Sequence, residues 1–200
     1  MDEELVSRRI VLPNGDLRLL QPEDASALPD AGAIEWAPIT PYWSVLWRSG
    51  AALAREVDVA DLRGRRVLEL GCGLALPSIA AARAGAVVLA TDGSPDALPL
   101  VARNAEANGV HLDTATVDWA EPARLLKRAP FDLVLGADVL YERNSIGALL
   151  SLLPRLAPEA WIADPGRAAA DAFIDRARRN WAVEEQVRGV VRIHRMNLEG

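Results

Sequence analysis

The nine residues from Val67 to Ala75, VLELGCGLA, constrain the fold more than any other stretch of the chain. An apolar run that carries one carboxylate, Glu69, leads directly into Gly71 and Gly73, and an alanine- and leucine-rich stretch follows. Glycine permits a sharp turn and lets a ligand approach the backbone where a Cβ atom would collide with it. The pattern therefore predicts a buried strand, a tight turn and a helix. In α/β proteins, nucleotide-like ligands bind at turns between a strand and a helix of this kind.

The chain from Gly64 onward repeats this order of strand and helix, because short apolar or β-branched runs alternate with stretches of helical length. The predicted strands are Arg66–Leu70, Ala86–Thr91, Asp113–Val117, Phe131–Gly136 and Ala160–Ala163. The predicted helices are Ala75–Arg83, Ser94–Ala107, Pro122–Lys127, Asn144–Leu156 and Arg167–Arg179. Strands that alternate with helices form parallel sheets, since each helix carries the chain back across the sheet.

The N-terminal part departs from this alternation. Two short apolar runs, Arg8–Leu12 and Asp16–Leu20, flank an Asn-Gly pair, which is typical of a hairpin turn. Ser44 then suits the cap of the helix that the following apolar stripe predicts. We therefore expect residues 1–40 to form a hairpin and an approach segment, and residues 41–200 to form the main domain.

The C-terminal part also departs from the alternation. Val183–Val187 and Val190–Met196 are strand-like runs separated by Arg188-Gly189, which predicts a terminal antiparallel hairpin. Five parallel strands closed by such a hairpin are the plan of the seven-stranded methyltransferases. The predicted fold class is α/β: a Rossmann-like, mostly parallel sheet of seven strands with a C-terminal antiparallel hairpin and a short N-terminal hairpin and helix extension.

Composition and charge limit the classes of partner. The net charge of −6 and the pI of about 5.0 disfavour nucleic acid, because an acidic surface repels phosphate. The single cysteine, Cys72, excludes an internal disulfide, and we expect no metal site. The first four residues are acidic where a secretory signal is basic, and no apolar run is long enough to span a bilayer. We expect a cytoplasmic monomer without a membrane partner.

The acidic residues after the strands distinguish between nucleotide-like ligands. Asp92 follows Gly71 by 21 positions, where a carboxylate can accept hydrogen bonds from both hydroxyls of a ribose. These two features suit NAD and S-adenosylmethionine equally. Glu69 before the turn can address the amino end of a methionine, and Asp118-Trp119 after the third strand can flank an adenine. Both features favour S-adenosylmethionine over NAD. The structural alternatives are a tight turn at Gly71 and Gly73 that binds no ligand, and a Trp119 that only covers an edge of the core.

Four motifs occur together in a characteristic order: Pro41-Tyr-Trp-Ser-Val-Leu-Trp47, Glu69-Leu-Gly-Cys-Gly73, Asp118-Trp119 and Asp138-Val-Leu-Tyr141. In these motifs the chain resembles the protein-lysine methyltransferases that carry a DxxY motif. Within that group it is most similar to the lysine methyltransferases of the electron-transfer flavoprotein β subunit and their bacterial relatives. The segment Asp164-Pro-Gly-Arg167 is also similar to that subgroup. The resemblance covers the chain from Pro41 to its C-terminus.

The resemblance implies a role for ten residues, eight of them at S-adenosylmethionine and two at the acceptor. The cofactor residues are Trp47, Glu69, Gly71, Gly73, Asp92, Asp118, Trp119 and Ala137. The residues that would shape the slot for the target nitrogen, and that we class as catalytic, are Asp138 and Tyr141. Ala75 stands where the family has glycine, which leaves the detailed geometry of the loop open.

Methyl transfer from a sulfonium is an in-line displacement that depends on positioning more than on acid–base groups. His111 and His194 lie outside the motifs, and we expect both at the surface or at an edge of the fold. The predicted function is an S-adenosylmethionine-dependent N-methyltransferase that acts on lysine side chains of a protein. An acidic enzyme suits exposed lysines as substrate.

Other functions compete with this prediction. An NAD-dependent oxidoreductase would carry a Tyr-x-x-x-Lys pair or a substrate domain, and the sequence has neither. A nucleic-acid amino-methylating enzyme would carry Asn/Asp-Pro-Pro-aromatic where this chain reads Ala137–Tyr141, ADVLY. A small-molecule N-methyltransferase and a non-catalytic domain that binds a cofactor or a partner remain open.

Overall fold

The N-terminal hairpin is present in the computed structural model, which describes residues 4–23, 25, 41–140 and 143–199. Strand β1 (Leu5–Ile10) pairs antiparallel with β2 (Leu17–Pro22), and Ile10 lies opposite Leu17. The predicted hairpin is therefore confirmed, with strand boundaries that differ by a few residues.

Strands and helices then alternate along the chain as predicted. The helices are α1 (Arg48–Asp58), α2 (Leu76–Arg83), α3 (Ala97–Ala107), α4 (Ala123–Leu126), α5 (Arg143–Leu156) and α6 (Ala168–Ala177). The strands are β3 (Arg66–Leu70), β4 (Val87–Asp92), β5 (Asp113–Thr116), β6 (Leu133–Ala137), β7 (Glu159–Asp164), β8 (Trp181–Arg188) and β9 (Val191–Leu198). Strands β3 to β9 form one sheet in the order β5-β4-β3-β6-β7-β9-β8.

The sheet has the predicted topology of five parallel strands and an antiparallel hairpin. β3 pairs in parallel with both β4 and β6, while β9 pairs antiparallel with β7 and β8. The chain moves outward from β3 to β5 and then returns to the other side of β3. A strand-order reversal of this kind opens a crevice at the carboxyl ends of the strands, where α/β sheets bind their ligands.

Alternation along β3 determines which side chains reach each layer of the fold. Val67 packs in the core that contains residues of α1, α2 and α3, whereas Leu68 and Leu70 pack in the core that contains residues of α5 and α6. Successive side chains of a strand point to opposite faces, so Glu69 lies on the face of Val67. Both faces of a parallel sheet are buried, which explains the continuous apolar runs in the sequence.

Two asparagines attach the N-terminal hairpin to α3. Asn104 accepts a hydrogen bond from the backbone N–H of Leu20 at 2.7 Å and donates to the carbonyl of Leu20 at 3.1 Å. Asn108 makes the same pair of contacts with Arg18, at 2.8 and 2.6 Å. The buried Leu19 lies between these contacts.

Within the described residues, no helix combines the length and the apolar character needed to cross a membrane.

The prediction that Ser44 caps a helix is wrong. Residues Tyr42–Ser44 form a single 3-10 turn, in which the Ser44 hydroxyl donates to the carbonyl of Pro41 at 2.8 Å. Val45 is extended and buried, which interrupts the helical path, and α1 begins at Arg48. The hydroxyl is satisfied within its own turn, so it is not available to a later helix.

The expectation for the two histidines is half right. His111 is exposed, as predicted. His194 is only 1% exposed, because β9 is inserted between β7 and β8 and does not form an edge of the sheet. Its Nδ1 lies 3.4 Å from a carboxylate oxygen of Glu185, and burial lowers the pKa of the imidazole. We assign His194 no role at the site described below.

Candidate functional site

The connection from β3 to α2 is a turn of alternating left-handed residues. Gly71, Gly73 and Ala75 have φ values of 62°, 49° and 59°. Within the turn, the N–H of Ala75 donates to the carbonyl of Cys72 at 2.6 Å. A residue with a Cβ atom is less stable in this conformation by about 1–2 kcal/mol, so glycine is favoured at such positions and Ala75 carries this strain. Ala, the smallest alternative, keeps the turn at a modest cost.

Gly71 and Gly73 bring distant segments of the chain into contact. A Cβ atom on Gly73 would lie 3.0 Å from the carbonyl oxygen of Trp43, in the aromatic segment before α1. A Cβ atom on Gly71 would lie 3.1 Å from Val139, which follows β6, and 3.5 Å from Trp119, which follows β5. The turn is therefore the point at which the four sequence motifs meet.

Asp92 is held at the end of β4 by two backbone donors. Its Oδ2 accepts from the N–H of Gly73 at 2.9 Å, and its Oδ1 accepts from the N–H of Ser94 at 2.9 Å. The side chain is half-buried and lines the cleft above the sheet. An ionised carboxylate has about four acceptor positions, so two backbone bonds leave capacity for further donors. The arrangement suits a fixed acceptor for vicinal hydroxyls.

Glu69 is a buried carboxyl at the base of the same turn. It is 1% exposed, and its Oε2 accepts from the backbone N–H of Ser78 at 2.9 Å and from the Ser78 hydroxyl. Burial raises the pKa of Glu69 to about 8, although the hydrogen bonds from Ser78 lower it. A cation bound nearby would favour the ionised form and reverse part of this shift. Glu69 is therefore suited to hold a positively charged ligand group.

Asp118 and Trp119 follow β5 on one side of the cleft. Asp118 is exposed, and its Oδ1 accepts from the N–H of Ala120 at 2.8 Å. Trp119 is half-buried and packs beside Gly71. An acceptor next to an aromatic face is the arrangement that binds a flat base with an exocyclic amino group.

Asp138 has a left-handed backbone, with φ 58°, directly after Ala137 at the end of β6. Its backbone N–H donates to the carbonyl of Ala163 in the neighbouring strand at 2.9 Å. Its Oδ1 accepts from Nε and Nη2 of Arg167 at 3.0 and 2.7 Å. Tyr141, the other residue predicted at the acceptor, lies outside the described residues.

Two aromatic residues of the segment before α1 stack on each other at the cleft. The rings of Tyr42 and Trp47 are 6.4 Å apart at an angle of 23°, and the Trp47 indole N–H donates to the Tyr42 carbonyl at 3.1 Å. Tyr42 is 58% exposed, whereas Trp43 is half-buried and packs against the core. Within this aromatic segment, the backbone carbonyl of Trp43 is the group that lies against the glycine turn at Gly73.

One cleft of about 1480 Å³ at the carboxyl ends of the strands is lined by nine of the ten predicted site residues. These are Trp47, Glu69, Gly71, Gly73, Asp92, Asp118, Trp119, Ala137 and Asp138. The volume exceeds the roughly 300–1,000 Å³ of a pocket for one small ligand, so a second group can enter beside the first. Within the described residues, no cluster of three or more side chains is suited to a metal ion.

Some residues of this cleft carry no role in the sequence analysis. Arg167 is the most informative, because it carries charge and binds Asp138. Its only sequence signal is the segment Asp164-Pro-Gly-Arg167 after β7. The remaining additions include Cys72, Ser94 and Ser145.

The family of the chain follows from comparison with known proteins. A family model described as lysine methyltransferase matches residues 42–162, which include the motifs that meet at the cleft apart from Pro41 and the Asp164–Arg167 segment. The chain belongs to this family.

The curated relatives of the chain are named for different methylation activities. The chain is 35% identical over 120 residues to a protein N-lysine methyltransferase of Danio rerio, with 56% of this chain and 55% of the relative covered. It is 30% identical over 172 residues to the electron transfer flavoprotein beta subunit lysine methyltransferase of Mus musculus, with 82% and 65% covered. A histone-arginine methyltransferase of Xenopus laevis is 35% identical over 115 residues, with 54% and 49% covered. The chain thus spans about half to two thirds of the length of these relatives.

Solved structures share the fold of this family member. The magnesium protoporphyrin IX methyltransferase of Synechocystis, solved with bound SAM, has a TM-score of 0.59 at 21% identity, with 82% of this chain and 87% of that chain covered. A TehB-like SAM-dependent methyltransferase of Corynebacterium glutamicum has a TM-score of 0.56 at 20% identity, with 76% and 89% covered. The seven-stranded methyltransferase fold predicted from the sequence is therefore confirmed.

We predict that Gly73→Ala destabilises the protein more than Gly109→Ala does. Both glycines have positive φ, at 49° and 65°, but a Cβ on Gly73 meets the Trp43 carbonyl, whereas nothing lies within 4 Å of a Cβ on Gly109. The Gly109 variant should lose about 1–2 kcal/mol from backbone strain alone. The Gly73 variant should lose about 1–3 kcal/mol more because the contact must open.

Urea unfolding of both variants and the wild type measures this difference. Equal losses of unfolding free energy in the two variants would show that the aromatic segment before α1 is not held against the turn. Tryptophan fluorescence should shift in the Gly73 variant only, because only that substitution displaces Trp43.

We predict that the wild type loses stability relative to Glu69→Gln as the pH rises from 5 to 8.5. The pKa of Glu69 is about 8 in the folded protein, above its ordinary value of 4.5, so the folded state resists ionisation. The contribution of Glu69 is complete below about pH 4.5 and is lost as the pH rises toward 8. The Gln variant has no proton to release. The difference in unfolding free energy between the wild type and the variant should therefore change by on the order of a few kcal/mol.

Urea unfolding at intervals of pH measures the two free energies. A difference between wild type and Glu69→Gln that does not change with pH would mean that Glu69 is already ionised in the folded protein.

Proposed function

We propose that the chain is an S-adenosylmethionine-dependent methyltransferase that transfers a methyl group to the side-chain amine of lysine in a protein. The observation that carries the proposal is the convergence of Glu69, Asp92 and Asp118 with one glycine turn in a single cleft. Membership of the lysine methyltransferase family and the substrates named for its relatives support the same function.

The residues of the cleft fit S-adenosylmethionine along its length. Glu69 would face the ammonium of its methionine end, and the backbone of Gly71 and Gly73 would leave room for that end. Asp92, fixed by two backbone donors, would accept from the ribose hydroxyls. Asp118 would accept from the adenine amino group. The bound cofactor supplies an electrophilic methyl group on a sulfonium.

The chain itself would position the acceptor and keep water away. The backbone around Ala137 and Asp138 lines the cleft where the methionine end and an entering side chain would meet. A lysine must lose its proton before it can attack, and a desolvated site with aromatic walls favours the neutral amine. Trp43, Trp47 and Tyr42 supply such walls, and aromatic faces also attract the methylammonium product.

A protein substrate is supported by the shape and charge of the molecule. The cleft is larger than one cofactor requires, and the aromatic ring of Tyr42 at its edge is 58% exposed. An acidic surface, with a net charge of −6, attracts lysine-rich proteins and disfavours nucleic acid. We further propose that the protein is a monomer in the cytoplasm. Residues 1–40 would form an extension and residues 41–200 the methyltransferase domain.

We predict that Asp92→Ala weakens the binding of S-adenosylmethionine and S-adenosylhomocysteine by more than about a hundredfold. The substitution removes two hydrogen bonds to a charged acceptor, each worth about 1.5–3 kcal/mol. Asp96→Ala is the matched control, because Asp96 also lines the cleft and is exposed. Calorimetric titration measures the affinities, with NAD as the ligand that should not bind.

Thermal unfolding should show that both variants remain folded. Failure of the wild type to bind either sulfur nucleotide would remove the proposed function. Binding of NAD with similar affinity would favour an oxidoreductase.

We predict that the wild type transfers labelled methyl groups to lysine of a recombinant electron transfer flavoprotein beta subunit, and that Asp138→Asn lowers the rate by at least about tenfold. Asp138 would shape the acceptor slot, and its neutral amide would bind Arg167 more weakly. The cofactor affinity should change little. Mass spectrometry of the product identifies the methylated residue.

A small-molecule N-methyltransferase is the competing assignment, since a free amine could use the same slot. Label that appears in a free amine from a low-molecular-mass extract, and in no protein, would decide for that alternative.

A further inference from the structure

The Asp138–Arg167 pair is the principal charged feature of the cleft that cofactor binding does not use. Arg167 directs Nε and Nη2 to the same oxygen, Oδ1, at 3.0 and 2.7 Å. The Asp138 side chain is 8% exposed and that of Arg167 is 27% exposed, and both line the cleft. An arginine of the chain thus occupies the carboxylate at which the acceptor would enter.

The segment after β7 is built to hold Arg167 in this place. Oδ1 of Asp164 accepts from the N–H of Gly166 at 2.6 Å and from the N–H of Arg167 at 2.7 Å. Gly166 has φ 93°, which a residue with a side chain rarely adopts, so the turn requires glycine. Helix α6 begins directly after Arg167. The side chain therefore starts from a rigid position and crosses from the end of β7 to the end of β6.

Stability alone is a weak explanation for the pair. The net gain in stability from such a pair is small, because the desolvation of the buried Asp138 and the ordering of Arg167 offset the attraction. The adjacent strand ends are already joined by the bond from the Asp138 N–H to the Ala163 carbonyl. A charged pair in the wall of a ligand cleft acts instead on what can bind there.

The pair has opposite consequences for the two amino acids that relatives of this chain methylate. A substrate guanidinium binds a carboxylate most strongly through both oxygens, and Arg167 already takes Oδ1 of Asp138 with two N–H groups, which leaves only Oδ2. A substrate amine has no such requirement. An unpaired carboxylate would hold lysine as unreactive ammonium, whereas the Arg167 charge compensates Asp138 and favours the neutral amine.

We propose that Arg167 determines the acceptor class of this enzyme: it occupies the guanidinium position on Asp138, so the slot accepts a lysine amine and excludes arginine. Arg167 acts through Asp138 and is a positioning residue, not a catalytic one. The proposal rests on the proposed function, because Asp138 must face the acceptor.

The first experiment tests the guanidinium position without cofactor or substrate. Ethylguanidinium is titrated into the wild type, Arg167→Ala and the double variant Arg167→Ala, Asp138→Asn, with binding followed by calorimetry and thermal unfolding. We expect Arg167→Ala to bind at least about tenfold more tightly than the wild type, and the double variant to lose this gain. Equal binding to all three proteins would overturn the proposal.

The second experiment tests acceptor selection in the presence of S-adenosylhomocysteine. N-acetyl-lysine amide and N-acetyl-arginine amide are titrated into the wild type, Arg167→Ala and Arg167→Lys. The wild type should bind only the lysine amide, and Arg167→Ala should shift the ratio toward the arginine amide by at least about tenfold. Arg167→Lys keeps a positive charge at Asp138 and should retain the lysine preference, which also covers the case in which the Ala variant does not fold.

Arg188→Ala is the matched control, because Arg188 pairs with Glu56 outside the cleft and its loss should leave the ratio unchanged. A wild type that binds both amides equally, or neither, would overturn the proposal, as would an unchanged ratio in Arg167→Ala. Failure of the wild type to bind S-adenosylhomocysteine would instead refute the proposed function, and the ethylguanidinium titration would still decide whether Asp138 holds a guanidinium position.

Discussion

The left-handed turn at Gly71, Gly73 and Ala75 is the constraint on which the cleft depends. It ends β3 abruptly and directs the chain into α2, which leaves the carboxyl ends of the neighbouring strands open. Each segment of the cleft then rests on the turn. Asp92 accepts a hydrogen bond from it, and the aromatic segment and the loops after β5 and β6 lie so close to Gly71 and Gly73 that a Cβ atom there would be crowded. A change in the turn would therefore reach all of these segments together.

Four of the acidic residues of the cleft have clearly different surroundings. Asp92 is held as an acceptor by backbone N–H groups, and Glu69 resists ionisation because it is buried. Asp138 is compensated by an internal guanidinium, and Asp118 is exposed. Burial, hydrogen bonds and neighbouring charges are the three influences that separate such groups. The proposed roles at an ammonium, a ribose, an adenine and an acceptor slot each fall to an acidic residue in a different environment.

Local signals made most of this architecture predictable from the sequence. The strand and helix periods indicated each element of the sheet, and the glycine turn and the spacing of Asp92 indicated the cleft, because these features depend on neighbours in the chain. The contact between Asp138 and Arg167 was not predictable, since it joins the loops after two different strands. The predictions for Ser44 and His194 were wrong for similar reasons. The buried Val45 overrides a local capping preference, and a hairpin pattern does not reveal which of its two strands pairs with β7 and which forms the edge of the sheet.

The position of β9 has a consequence for the order of events during synthesis. β9 is the last strand in sequence, yet it lies between β7 and β8. While β8 has left the ribosome and β9 has not, the exposed edge of β7 has no native neighbour to pair with. An open edge of this kind is a template for pairing with other chains, so the interval before β9 arrives is when the nascent protein is most exposed to aggregation.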